Sequence, residues 1–298
     1  MIMTTRRTFL ALLAAAAVAA PASAQTEKLP EKMPIVASFS ILGDLVSQVG
    51  GDRVSVTTLV GPDGDAHVYQ PTTADARRIA QAKLIFVNGL GFEGWLERLI
   101  AAAKSKGAIV TLGKGVTARP GEEGTDPHAW QDVANAKIYV AEIRDALTAA
   151  DPAGAESYKA RADAYLAKLD ALDAEIVKTL DAIPKDRRRV VSTHDAFGYF
   201  SARYGVEFIA PQGVSTEAEA SARDIARIIQ AVRQNRVGAV FLENVSDPRL
   251  AKRIAAETGA RMGGTLYSDA LSGPQEDGAN YIDMMRHNVR ELAKALTP

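Results

Sequence analysis

The chain contains four histidines, and three of them share a setting. His67 lies in GDAHVYQPTTAD, between a strand-like run, Arg53 to Val60, and a helix start at Thr73. His128, in TDPHAWQD, follows a strand-like run over 108–112 and a short polar loop. His194, in VVSTHDAFGYF, ends another short apolar run. Open parallel sheets bind ligands beyond the carboxyl ends of their strands, so these three imidazoles should face one cleft. Neutral imidazole is a borderline ligand suited to zinc. The fourth histidine, His287, sits in the helical pattern YIDMMRHNVRELAKAL and reads as structural. A closed site needs one more ligand. Asp269, in GGTLYSDALSG, follows the last strand candidate, although on local grounds alone it reads better as a helix cap or turn aspartate. Glu243, in FLENVSDP, also ends a strand and is a rival ligand or a partner behind one. Asp195 is placed to fix the tautomer of a neighbouring imidazole.

The elements that position these residues are short apolar runs alternating with helical patterns, the rhythm of a parallel sheet covered by helices. Strands are expected at 35–39, 54–60, 83–87 and 108–112, and again at 190–192, 207–210, 239–242 and 261–265. The two halves share a rhythm without a clear sequence repeat. Between them, Asp151-Pro152 opens a segment that Pro184 closes. Tyr158, Ala162, Tyr165, Leu169, Leu172, Ile176, Leu180 and Ile183 mark a single stripe of one long helix. At roughly 1.5 Å per residue, about 31 residues make a rod of about 46 Å that resists bending. The alternative is a coiled-coil dimer helix. The expected organisation is an α/β chain of two lobes, 25–150 and 185–298, joined by one rigid helix over 151–184.

Residues 1–24 read as an export leader, with a twin-arginine-like start around Arg6 and Arg7 and a small-residue ending, Ala22-Ser23-Ala24. The chain has 35 basic and 36 acidic residues and no basic stripe, so no nucleic-acid footprint is visible. It has no cysteine, which excludes disulfides, thiolate metal sites and cysteine nucleophiles. From that absence a protein free in the periplasm, not lipid-anchored, is expected.

Taken together, GDAHVYQPTTAD, DPHAWQD, STHDAFGYF, FLENVSDPRLA and LYSDALSG resemble the zinc- and manganese-binding receptors of bacterial ABC transporters, the ZnuA/TroA-like solute-binding proteins. The resemblance covers nearly all of the chain after the leader. It implies two α/β lobes, a long connecting helix and a metal ion held between the lobes by His67, His128, His194 and Asp269. It also implies delivery to an ABC permease by a monomeric binding protein that is not an enzyme. Manganese-preferring members tend to carry glutamate at the third ligand position, so His194 leans toward zinc, with manganese the alternative. Many zinc receptors carry a long histidine-rich acidic loop before the second ligand. Here GVTARPGEEGTDP is short and has no histidine. Zinc is then taken directly from solution or from another metal-carrying protein, a metallochaperone.

Two other readings compete. Three histidines around an open metal position could activate water in a zinc hydrolase, with Asp269 as base, although no HExxH pattern is present. Gly89, Gly91 and Gly94 in NGLGFEG form a G-x-G-x-x-G between strand and helix. No acidic residue follows the next strand to hold a ribose, and a tight turn explains the glycines.

Overall fold

The computed structural model describes residues 31–121, 124–234 and 237–297, and the leader expected over 1–24 lies outside them. From the start, β1 (Met33–Phe39) runs into α1 (Ser40–Gly50), then β2 (Val54–Val60), α2 (Thr73–Gln81), β3 (Leu84–Val87), α3 (Leu96–Ala103) and β4 (Ala108–Thr111). A small hairpin follows, β5 (Arg119–Gly121) and β6 (Gly124–Asp126), and then α4 (Val133–Ala150) and α5 (Ala155–Asp181). The second half comprises β7 (Arg189–Val191), α6 (Gly198–Tyr204), β8 (Glu207–Ile209), α7 (Ala222–Gln234), β9 (Ala239–Glu243), α8 (Pro248–Thr258), β10 (Met262–Leu266) and α9 (Tyr281–Leu296).

Both four-stranded sheets are parallel, ordered β2-β1-β3-β4 and β10-β9-β7-β8. Counted within its own half, each places its strands in the order second, first, third, fourth, so the shared rhythm of the sequence is a shared topology. Ile35 to Phe39 of β1 are buried without a break, as a strand covered on both faces requires. The expected strands all form, with ends shifted by a residue or two. The β5–β6 hairpin was expected only as a polar loop. Its strands, RPG and GTD, are short and carry no alternating apolar pattern to announce them.

The long helix is 27 residues, preceded by a separate 3₁₀ turn over Pro152–Gly154, so the continuous rod is about 40 Å rather than 46 Å. Its stripe from Tyr158 to Leu180 is buried against α4, α1 and α9. A stripe consumed inside one chain leaves nothing for a coiled-coil partner. Residues from Lys32 onward form one unit. A continuous apolar core runs from Ile35 and Phe86 of the first sheet to Phe241 and Leu266 of the second.

Polar ties reinforce that core. The carboxylate of Asp44, on α1, accepts the first backbone N–H of α9, from Tyr281, at 2.9 Å. Its burial raises its pKa, partly offset by the hydrogen bonds from Tyr281 and Gln48. The Tyr281 hydroxyl donates back to the Trp130 carbonyl at 2.6 Å. The indole of Trp130 and the amide of Gln131 both donate to the Ser268 carbonyl, at 2.9 and 2.7 Å.

Candidate metal centre

Each candidate ligand sits just past a strand. His67 follows β2, His128 follows β6, His194 follows β7, and Asp269 follows β10. The loop carrying His67 is tied along its length. Asp65 Oδ1 accepts the His67 backbone N–H at 2.9 Å, and the Trp95 indole donates to the Ala66 carbonyl at 2.8 Å. Tyr69 donates to Asp75, which also closes a capping box with Thr72 at the start of α2.

The four side chains meet. One ligand atom from each of His67, His128, His194 and Asp269 lies within 4.8 Å of all the others. The Nε2 atoms of His67 and His128 are 3.3 Å apart. Asp269 approaches the Nε2 atoms of His194, His67 and His128 at 3.1, 3.3 and 3.5 Å. Tetrahedral zinc bonds of about 2.0–2.1 Å put neighbouring ligand atoms about 3.3–3.4 Å apart, so these separations are close to the edges of such a site. Asp269, His128 and His194 are fully buried, and the His67 side chain is 4% exposed. Both Asp269 oxygens and His194 Nε2 are buried without a hydrogen-bond partner. Polar atoms left this way in the interior cost several kcal/mol unless something completes them, and a cation would. No helix begins at Asp269, since α9 is capped by Asn280, so the cap alternative falls.

Carboxylates stand behind two of the rings. Asp126 Oδ1 faces His128 Nδ1 at 2.9 Å and also accepts the His128 backbone N–H at 3.0 Å. Glu243 Oε2 lies 2.6 Å from His194 Nδ1, a close charge contact without hydrogen-bond alignment. Its Oε1 accepts from the Thr193 N–H and hydroxyl, both at 2.6 Å, and from the His194 N–H at 3.1 Å. Glu243 is therefore a partner of His194 and does not reach the cluster as a ligand. Asp195, expected to orient an imidazole, makes no hydrogen bond to one among the described residues; burial and nearby Asp126 raise its carboxyl, partly offset by His128 and His194. Asp126 was missed by sequence reasoning, yet a signal was present: Asp65-Ala66-His67 and Asp126-Pro127-His128 repeat the same D-x-H spacing.

The electrostatics are those of a cation site. Burial pushes the His194 imidazolium down, but Glu243 and Asp269 outweigh it and hold its pKa well above the ordinary value. Burial pushes Asp269 up, and His194 and His128 outweigh that and hold it well below the ordinary carboxylate range. Glu243 is lowered in the same way, His194 overcoming burial. Aromatic rings pack on two of the imidazoles: Phe92 meets the His67 ring edge-on at 4.6 Å, and Trp130 packs on His128 at 5.4 Å.

The remaining candidates lie elsewhere. His287 Nε2 is 2.9 Å from the Thr265 carbonyl and its ring packs on Tyr267, a structural role on α9. In the NGLGFEG turn, Gly89 and Gly91 have φ of 76° and 85°, which favours glycine. The N–H groups of Asn88 and Gly89, which a phosphate would need, both donate to buried Glu93. The turn closes on its own carboxylate and is no dinucleotide site.

Residues 35–295 match the sequence family described as "ZnuA: Zinc-uptake complex component A periplasmic". The chain belongs to the ZnuA family. ZnuA-family relatives include the manganese-binding lipoprotein MntA of Halalkalibacterium halodurans, 36% identical over 90% of this chain and 89% of that one. The iron-binding protein YfeA of Yersinia pestis is 35% identical over 96% of this chain and 92% of its own. Among solved structures, the periplasmic zinc-binding protein TroA of Treponema pallidum superposes with a TM-score of 0.84 at 29% identity, covering 90% of this chain and all of that one. The chain is a metal-binding substrate receptor of an ABC transporter, working with the transporter's permease and ATPase, and not an enzyme; the hydrolase reading falls. One expectation is corrected. MntA, ScbA of Streptococcus cristatus and PsaA of Streptococcus anginosus are all named lipoproteins, against a chain free in the periplasm without a lipid anchor. That expectation rested only on the absence of cysteine.

Proposed function

We propose that this chain is the high-affinity zinc receptor of its importer, with His67, His128, His194 and Asp269 as the four ligands. The observation that carries the reading is the donor set. Three imidazole nitrogens and one carboxylate stand 3.1–3.5 Å apart along the measured edges, with both Asp269 oxygens and His194 Nε2 lacking a hydrogen-bond partner. Nitrogen-rich tetrahedral sites suit zinc, whereas manganese and magnesium favour oxygen-rich octahedra. A nearly closed site binds tightly and leaves no open position for a reacting water. Manganese is the second reading, supported by relatives named for that metal, MntA and PsaA among them.

The halves 25–150 and 185–298 would act as lobes around the ion, with 151–184 as the connecting helix and a monomer as the working form. Zinc would come from solution or from a metallochaperone, and docking on the permease would free it by shifting a ligand loop. Competitive titration of metal-free protein with zinc, manganese and iron(II), with elemental analysis of the native protein, tests the metal. Zinc should win by orders of magnitude, and a preparation that fills with manganese in the presence of zinc refutes the zinc assignment. Permease-loaded vesicles that fail to speed metal release reject the release step.

A further inference from the structure

Between β8 and α7 runs the segment 212–220, QGVSTEAEA, and it stands between two cavities. On one side Val214, Ser215 and Glu217 share a cavity of about 350 Å³ with His67 and Phe92. On the other, Gln212, Thr216 and Glu219 line a cavity of about 460 Å³ that reaches Ser246 and Leu250. His67 is the only one of the four ligands with any side-chain exposure, so the first cavity is the natural way in for an ion.

The segment is rooted in its own half, where Gln212 N–H donates to Thr193 and Asp195 N–H donates to Gly213. Further out it is held by local bonds, Gln212 to the Ala218 carbonyl and Glu217 N–H to the Ser215 hydroxyl. Among the described residues it makes one hydrogen bond to the first half: the Thr216 hydroxyl donates to Asp65 Oδ2 at 2.6 Å. The other oxygen of that carboxylate accepts the His67 backbone N–H at 2.9 Å. One side chain from the second half therefore reaches, through Asp65, the backbone of a ligand in the first.

We propose that Thr216 is a positioning residue for metal retention: its hydroxyl latches the segment across the mouth of the site and, through Asp65, holds His67 in its ligating position. This rests on the assignment of His67 as a ligand. With the latch made, the segment walls the cavity beside His67. With it broken, open space on both flanks lets the segment swing, and the His67 loop loses one of its restraints.

The test compares Thr216→Val, which removes the hydroxyl and keeps the shape, with Thr216→Ser, which keeps the hydroxyl. Zinc release into excess chromogenic chelator is followed by stopped flow at fixed pH. Release from T216V should be about tenfold faster than wild type, equivalent to about 1.4 kcal/mol. T216S should stay within about twofold, and the urea midpoints of the metal-free proteins should agree. Hydrogen exchange in metal-free T216V should quicken at 213–218 and 66–67 and nowhere else. T216V releasing zinc at the wild-type rate, T216S as fast as T216V, or unchanged exchange would each overturn the latch. Wild-type protein that takes up neither zinc nor manganese would instead sink the metal site itself. Normal uptake with an indifferent T216V sinks only the latch.

Discussion

Glu243→Gln isolates what the carboxylate behind His194 does. In the wild type its two oxygens divide the work: Oε1 gathers three donors from Thr193 and His194, and Oε2 faces the ring Nδ1 at 2.6 Å. A proton held on Nδ1 leaves Nε2 as a lone pair pointing at Asp269 and the ion. Glutamine fits the same space but cannot do both jobs. With its oxygen kept on the three donors, its NH₂ faces Nδ1 and favours the tautomer with the proton on Nε2, where the ion must bind. Flipping the amide sets NH₂ against three N–H and O–H donors, which is worse. Removing an orienting partner of this kind costs 10- to 100-fold in metal affinity. Because the imidazole is fully buried and no water can substitute, the upper end is expected: about 100-fold, or about 2.7 kcal/mol. Competition against a chromogenic chelator at pH 7.5 reads the affinity. Affinity within threefold of wild type would refute the reasoning.

His194→Ala should cost on the order of 100- to 1000-fold in zinc affinity, about a quarter of a typical ~10–16 kcal/mol site, whereas His287→Ala should cost almost nothing. Equal losses in the same titration would mean the wrong histidine has been assigned. The raised pKa of His194 means that zinc must displace a proton, so affinity should fall as pH drops, beginning above the ordinary histidine value of about 6.5. The metal-free fold should show the opposite trend. A folded pKa above the unfolded one gives stability that is full below about pH 6.5 and is lost as pH rises through the raised value. Urea unfolding of the metal-free protein against pH, beside zinc titrations in the same buffers, checks both slopes, and affinity flat from pH 8 to 6 contradicts the site. Small-angle scattering curves with and without zinc should superpose, because α5, the shared core and the Asp44–Tyr281 tie resist bending; a clear contraction on binding zinc refutes this.

Much of this arrangement was legible because it is written in local patterns. The apolar runs before His67 and His194 marked strand ends in the parallel sheets, which face the cleft, whereas His128 follows the β5–β6 hairpin well past the end of β4. The stripe from Tyr158 to Leu180 marked the long helix to within a few residues. What stayed hidden depends on contacts between distant segments. Nothing near Glu243 in the chain says that its oxygens would collect the amides of Thr193 and His194, half a lobe away in sequence. Asp269 looked locally like a cap, and only the three imidazoles brought to it by other loops make it a candidate ligand. The hairpin at Arg119–Asp126 escaped because three-residue strands carry no periodicity to read.

The four proposed ligands come from loops spread from the second strand to the last. No fragment of the polypeptide holds more than part of the cage, and the carboxylate is supplied only after nearly all of it has been made. The ion thus cannot template early collapse; it should leave the folding rate almost untouched and slow unfolding, acting as a brake on a structure already built. A copy truncated before Asp269 would lack the carboxylate, so metal content should report whether that part of the chain is present.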